Sequence, residues 1–162
     1  MWQGVFPAVT TKFTESDDLD HPEMERCFGL QMEAGCDGII VGGSLGEGPM
    51  LSPEEKLAVF QTAKGVANGK PVLMTINEAG TREACQRARE AKAAGADGLM
   101  VVPSMVYHAD RDEAVAGLRA VAEAGDLPVM IYSNRIAYRV DVTVDMMEEL
   151  AEDWRFIAVK ES

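Results

Sequence analysis

Three stretches of this sequence combine residue types that could do chemistry. Lys160 closes the apolar run Phe156-Ile157-Ala158-Val159. An ammonium buried among apolar groups is desolvated, which depresses its pKa and makes a neutral amine available to attack a carbonyl. The same lysine could instead sit in an ion pair or face solvent. Tyr132 ends a second apolar run, Pro128-Val129-Met130-Ile131, and polar Ser133-Asn134-Arg135 follow it. A phenol at such a position can pass a proton to a bound intermediate or cap the core with its ring. The third stretch is Gly42-Gly43-Ser44-Leu45-Gly46-Glu47-Gly48, in which glycines let successive backbone N–H groups turn toward an anion. It lacks the Gly-Lys-Ser/Thr ending of a phosphate-binding loop and the spacing of a dinucleotide fingerprint, so a small carboxylate is the better ligand if the loop is more than a tight turn.

Strand ends are what could position these groups. Ala34-Gly35-Cys36-Asp37-Gly38-Ile39-Ile40-Val41 returns sixty residues later as Ala94-Gly95-Ala96-Asp97-Gly98-Leu99-Met100-Val101. Each copy closes a charged, alanine-rich stretch with a glycine and opens an apolar run, as a helix handing over to a strand buried on both faces would. A weaker pair interleaves with it, Gly69-Lys70-Pro71-Val72-Leu73-Met74 and Gly125-Asp126-Leu127-Pro128-Val129-Met130. The junctions imply parallel βαβ units with strands near residues 4–9, 38–41, 72–75, 98–102, 129–132 and 156–160, and functional groups beyond their C-terminal ends. Alternation along the last strand puts Phe156, Ala158 and Lys160 on one face.

Helix signals fall between these strands. Asp20 caps the first helix, Pro22 suits its first turn, and Met24, Cys27, Phe28 and Met32 form its apolar stripe. Ser52, Pro53 and Glu55 make a capping box for a second helix that buries Leu57, Phe60 and Ala63. Thr81 caps a third over 82–93 with Ala84, Ala88 and Ala91 inward; 110–123 is a fourth, burying Ala114, Val115, Leu118 and Val121; and 143–150 a fifth. The expected fold class is α/β, a (β/α)8 TIM barrel. Such a barrel needs about 250 residues, so residues 1–162 read as the N-terminal three quarters of a single TIM-barrel domain, with about six strands present and the rest outside the sequence.

Composition narrows the function. The formal charge is −12, and the scattered Lys and Arg make no basic cluster for phosphates, so no nucleic-acid partner is expected. Cys27, Cys36 and Cys85 have no metal-like spacing, and Cys36, in the place of Ala96, reads as a small buried side chain in a reducing compartment. His21 and His108 belong to no ligand cluster, and no metal is expected. No apolar stretch is long enough to cross a membrane and the N-terminus lacks a signal peptide, which together predict a cytoplasmic protein without a membrane partner.

The loop at 42–48, Tyr132 and Lys160 together resemble the signature positions of the dihydrodipicolinate synthase and N-acetylneuraminate lyase family of class I Schiff-base lyases. Gly4-Val5-Phe6-Pro7-Ala8-Val9-Thr10-Thr11 is similar to the family's opening strand, Gly42 to Gly48 to its Gly-Thr-Thr-Gly-Glu loop, and Val159-Lys160-Glu161-Ser162 to the segment bearing its imine-forming lysine. The resemblance implies a (β/α)8 barrel with a C-terminal helical extension, a homo-oligomer, tetrameric as in the family, and a pyruvate-type substrate held without a cofactor. It also implies roles. Lys160 attacks the keto carbon of a 2-oxo acid, Tyr132 moves protons, Ser44 relays a proton to Tyr132, and the backbone around Gly43, Ser44 and Leu45 holds the carboxylate. Glu47 anchors the loop by accepting backbone hydrogen bonds.

The pattern departs from the family in places that bear on substrate. Leu45 stands where the family has a second threonine. The aromatic pair after Pro103 is replaced by Ser104-Met105-Val106-Tyr107, leaving Tyr107 as the candidate to reach a substrate or a neighbouring subunit. The family's carboxylate-binding arginine falls near Ala137, so Arg135 or Arg139 would substitute. These changes favour an aldolase or dehydratase acting on pyruvate or a sugar-derived 2-oxo acid over dihydrodipicolinate synthase proper; the alternative from another class is a catalytically silent barrel that binds a small carboxylate.

Overall fold

The computed structural model describes residues 2–104, 106, 108–138 and 140–162. The chain forms two compact units, Met1–Thr75 and Ile76–Ser162. In the first, an extended segment leads into α1 (His21–Glu33), β1 (Ile39–Val41), α2 (Pro53–Val66) and β2 (Val72–Ile76), whose last residue opens the second unit. There follow α3 (Thr81–Ala93), β3 (Gly98–Val101), α4 (Arg111–Gly125), β4 (Val129–Ser133), the short α5 (Arg135–Tyr138), α6 (Val144–Leu150) and β5 (Phe156–Glu161). The pairings of β1 with β2, β3 with β4 and β4 with β5 are parallel. Strands alternating with helices are the repeating unit of the barrel expected from the sequence.

The first unit is held by its strand pair and two helices. Every residue of β1 and β2 is buried, as befits parallel strands covered on both faces. The expected strand at 4–9 is only partly built. Ile40 N donates to Pro7 O at 2.9 Å and accepts at its own carbonyl from Val9 N at 3.0 Å, yet the pairing amounts to a single parallel bridge, Ala8 to Ile40. Pro7 has no N–H to give, and Gly4 takes φ +95°, so the ladder cannot extend evenly along this segment. Asp20 accepts from Glu23 N at 3.0 Å and caps α1. The capping box of α2 is complete, with Ser52 N donating to Glu55 at 2.7 Å and Glu55 N to Ser52 Oγ at 3.2 Å. Met24, Phe28 and Met32 of α1 and Val59, Phe60 and Ala63 of α2 are buried, and His21 Nδ1 meets Thr62 Oγ1 at 2.9 Å between the two helices.

In the second unit, α3 packs closely on α4 through small side chains, and Ala84, Ala88 and Ala91 are buried as their spacing predicts. Gly80, not Thr81, is the N-cap of α3: its carbonyl accepts the first helical bond, from Ala84 N at 2.9 Å, and no side chain caps the end. Asp110 and Glu113 form a capping box on α4. Arg111 ties α4 to α6 through Asp145 at 2.8 Å and Glu149 at 2.7 Å. None of the three cysteines is buried; all are partly exposed, including Cys36, which the repeat had suggested as a core residue.

Candidate active site

The geometry of the strongest candidate follows from strand register. In the β4–β5 ladder Tyr132 stands opposite Lys160, and Met130 opposite Ala158. Neighbouring strands lie about 4.8 Å apart and partners project to the same side, so the lysine and the phenol must meet. Lys160 Nζ lies 3.3 Å from the centroid of the Tyr132 ring. On β4 this face is half-buried, whereas Val129, Ile131 and Ser133, pointing the other way, are buried. Alternation does not carry through to Phe156, which pairs with Val129: the register shifts by one residue before Ala158.

Three residues that the sequence reading left without a role complete the cluster. Lys160 Nζ donates to Ser162 Oγ at 3.2 Å, and Ser162 Oγ donates to Tyr132 Oη at 3.5 Å. Ser162 N donates to Ser133 O at 3.1 Å, which continues the ladder past β5. Tyr138 packs its ring edge against Tyr132, with centroids 5.0 Å apart and planes at 89°, a favoured aromatic geometry. Asn134 builds the short helix that presents it, accepting from Ala137 N at 3.0 Å through its side chain and from Tyr138 N at 2.8 Å through its carbonyl. Ser162 was detectable, because the period of two puts it on the face of Lys160. A four-residue helix has no periodicity, so Tyr138 gave no signal.

These neighbours change the chemistry of the phenol. The Lys160 ammonium first, and then the Ser162 hydroxyl, draw Tyr132 from its ordinary value of 10.0 down to about 7. Hydrogen bonding and a nearby cation both favour the phenolate, against the smaller opposing effect of burial. A phenol titrating near neutrality is suited to both giving and taking a proton.

The glycine loop belongs to the first unit and directly follows β1. Gly42 and Gly43 are buried, and the side chains of Ser44 and Leu45 are exposed. The bend is closed by Glu47 N to Ser44 O at 3.2 Å and Gly48 N to Gly43 O at 3.1 Å. Thr11 Oγ1 donates to Gly46 O at 2.6 Å and Thr75 Oγ1 to Val41 O at 2.7 Å, pinning the loop and the strand before it. A Cβ on Gly46 would lie 2.8 Å from Val9 O, so glycine is needed there for close approach. Glu47 holds the turn through its backbone, in the left-handed region at φ 58°, with its side chain exposed. That replaces the expected role of its carboxylate as an acceptor.

Arg135 lies on α5 with Nη1 3.7 Å from Asp141 Oδ2 and its side chain 73% exposed. It lines a cavity of about 530 Å³ with His108, Arg111 and Asp145. Tyr107 and Arg139, the other candidates for substrate contact, lie outside the described residues. Among the described residues, no group of three or more His, Cys, Asp or Glu could hold a metal ion, and no helix is long and apolar enough to cross a membrane.

Parallel strands alternating with helices are the build of an α/β chain of the (β/α)8 class. Over residues 1–162 the sequence matches the model of the dihydrodipicolinate synthetase family, and the chain belongs to that family. It is 34% identical over 161 residues to an uncharacterized DapA-like lyase of Rhizobium meliloti, covering 99% of this chain and 53% of that protein. With a 4-hydroxy-tetrahydrodipicolinate synthase of Streptomyces coelicolor it shares 34% identity over 157 residues, 95% of this chain and 51% of the relative. The crystal structure of YagE from E. coli K12, a dihydrodipicolinic acid synthase family protein in complex with pyruvate, superimposes with a TM-score of 0.94 at 29% identity, covering 99% of this chain and 55% of YagE. The chain thus spans about half the length of the relatives it matches.

Proposed function

We propose that this chain carries the imine-forming part of a class I lyase, an aldolase or dehydratase whose substrate is pyruvate or a sugar-derived 2-oxo acid. The observation that carries the reading is the contact of Lys160 with Tyr132 at the ends of adjacent strands, in a chain of this family. The amine of Lys160 adds to the keto carbon, and loss of water gives an imine whose nitrogen accepts the electron pair released when a carbon–carbon or carbon–oxygen bond breaks. Tyr132 supplies and removes the protons those steps require. The loop residues enter through family resemblance: the backbone at Gly43, Ser44 and Leu45 holds the carboxylate and Ser44 relays a proton. Arg135 is assigned to a second polar group of the substrate. Homo-oligomeric assembly and a cytoplasmic location are carried over on the same footing, and no cofactor is invoked.

Borohydride reduction in the presence of pyruvate tests the reading. One pyruvate-derived adduct is expected, on the peptide containing Lys160, and Lys160→Ala should abolish both the adduct and any turnover. Tyr132→Phe should still bind substrate but form the imine about 10²-fold more slowly, the usual scale of a lost acid–base group. A second reading, a silent carboxylate-binding barrel, is favoured by the exposed apolar Leu45 in the loop and the pairing of Arg135 with Asp141. Pyruvate binding with no reducible adduct would select it.

A further inference from the structure

We propose that Ser162 is a catalytic residue, its hydroxyl carrying a proton from Lys160 Nζ to Tyr132 Oη and so preparing the amine for attack. The inference deepens the lyase reading above and rests on it. Two observations support it. The three groups already form a directed wire, with Nζ donating to Oγ at 3.2 Å and Oγ donating to Oη at 3.5 Å. The backbone of the serine is also held by its N–H bond to Ser133 O at 3.1 Å, which sets its Cβ beside the pair. The lysine itself lies over the ring face, 3.3 Å from the centroid. Lys160 also acts on the phenol directly, as the largest cause of its lowered value, so the serine offers a second path from Nζ to Oη.

The step balances without any further reactant. The step starts from the ion pair, a protonated Nζ and a Tyr132 phenolate, the phenolate being accessible near neutrality with a value of about 7. One N–H bond of Lys160 breaks and its proton goes to Ser162 Oγ, while the hydroxyl proton of Ser162 passes to Tyr132 Oη. The result is a neutral amine, an intact serine and a neutral phenol, with the sum of charges unchanged. The amine then forms its bond to the keto carbon, the carbonyl π pair moves to oxygen, and the new phenol is the acid that can protonate that oxygen. The groups facing Tyr132 are Lys160 and Ser162 from β5 and its end, with Asn134 and Tyr138 from the segment after β4.

Rapid-quench trapping with pyruvate and borohydride, comparing the parent with Ser162→Ala and Ser162→Thr, tests the relay. Ser162→Ala should slow formation of the Lys160 adduct by about 10²-fold, on the usual scale of acid–base groups, while long incubation still modifies Lys160. Ser162→Thr, which keeps the hydroxyl, should stay within a few-fold of the parent. The Tyr132 phenolate titration, read by near-ultraviolet difference absorbance, should move upward in the alanine variant and stay in place in the threonine variant. Ser162 is exposed, so equal thermal melts are expected for all three proteins. A parent-like trapping rate in Ser162→Ala overturns the relay, even if the titration moves, and leaves the lyase reading standing. Equal slowing in both variants overturns it as a hydroxyl effect. Absence of adduct in the parent overturns the lyase reading and the relay with it.

Discussion

The loop at residues 42–48 and the pair Tyr132–Lys160 both follow strand ends, but different forces shape them. The loop is a backbone object. Its form comes from the close approach of Gly46 to Val9 O, the Thr11 bond to Gly46 O and the left-handed turn at Glu47, while Ser44 and Leu45 point outward. The strand-end pair is a side-chain object. Ladder register brings lysine and phenol together, and the lysine alters the chemistry of the phenol. The lesson is that the loop should tolerate changes of exposed side chain and fail when backbone is crowded, whereas the pair should keep its fold and change its titration when one side chain is replaced.

The largest expected effect lies on the side-chain region. Lys160→Met keeps the stem of the lysine and removes its charge, so the Tyr132 midpoint should climb from about 7 toward the ordinary 10.0. The chain has three tyrosines, few enough for difference spectra to follow one. The linkage has a definite sign. A phenol whose folded value lies below its unfolded one adds stability above about pH 10 that is lost as pH falls through about 7. The parent should therefore gain on Lys160→Met between those limits and the gain should vanish below them. An unmoved midpoint would break the comparison at its stronger end.

Next in size is Gly46→Ala, which pushes a Cβ toward Val9 O. Overpacking of this kind costs about 1–3 kcal/mol, read as a lower urea midpoint with an unchanged slope. Unaltered stability would mean that crowding does not set the loop. Thr11→Val should cost least, about 1 kcal/mol for one buried hydrogen bond to Gly46 O, in the same denaturation experiment. If Thr11→Val proved more damaging than Gly46→Ala, the loop would be pinned by its hydroxyl bond more than by its packing.

Signals written in one or two neighbouring residues were legible. The capping boxes of Ser52 with Glu55 and the cap at Asp20 appear as their spacing requires, because a cap involves only local backbone. Five of the expected strand positions were equally plain, since short apolar runs bounded by turn residues suit a sheet covered on both faces, whereas the segment at 4–9 makes only one bridge. The weaker repeat misled in detail. Gly69 takes φ +80°, but Gly125 is the last residue of α4, where a Cβ would meet Leu99 at 2.7 Å, and Asp126 makes the left-handed turn instead, its carboxylate 2.6 Å from Lys92. The same residue type answers two demands, and only tertiary packing distinguishes them. At the site, Lys160 and Tyr132 were visible as polar ends of apolar runs, but their mutual register, the shift before Ala158 and the buttress of Tyr138 depend on pairing across residues distant in sequence.

The stronger repeat has a consequence for how the order of strands is specified. After α1, Gly35 N reaches Met32 O and Cys36 N reaches Gln31 O; after α3, Gly95 N reaches Lys92 O and Ala96 N reaches Ala91 O, with both glycines left-handed at φ +92° and +86°. The two joints are therefore interchangeable hardware, differing by one side chain, Cys36 against Ala96. A joint that fits either place cannot tell the chain which neighbour to seek. That address must be carried by the apolar run downstream, so swapping Ile39-Ile40-Val41 with Leu99-Met100-Val101 would disturb assembly far more than swapping the turns that introduce them.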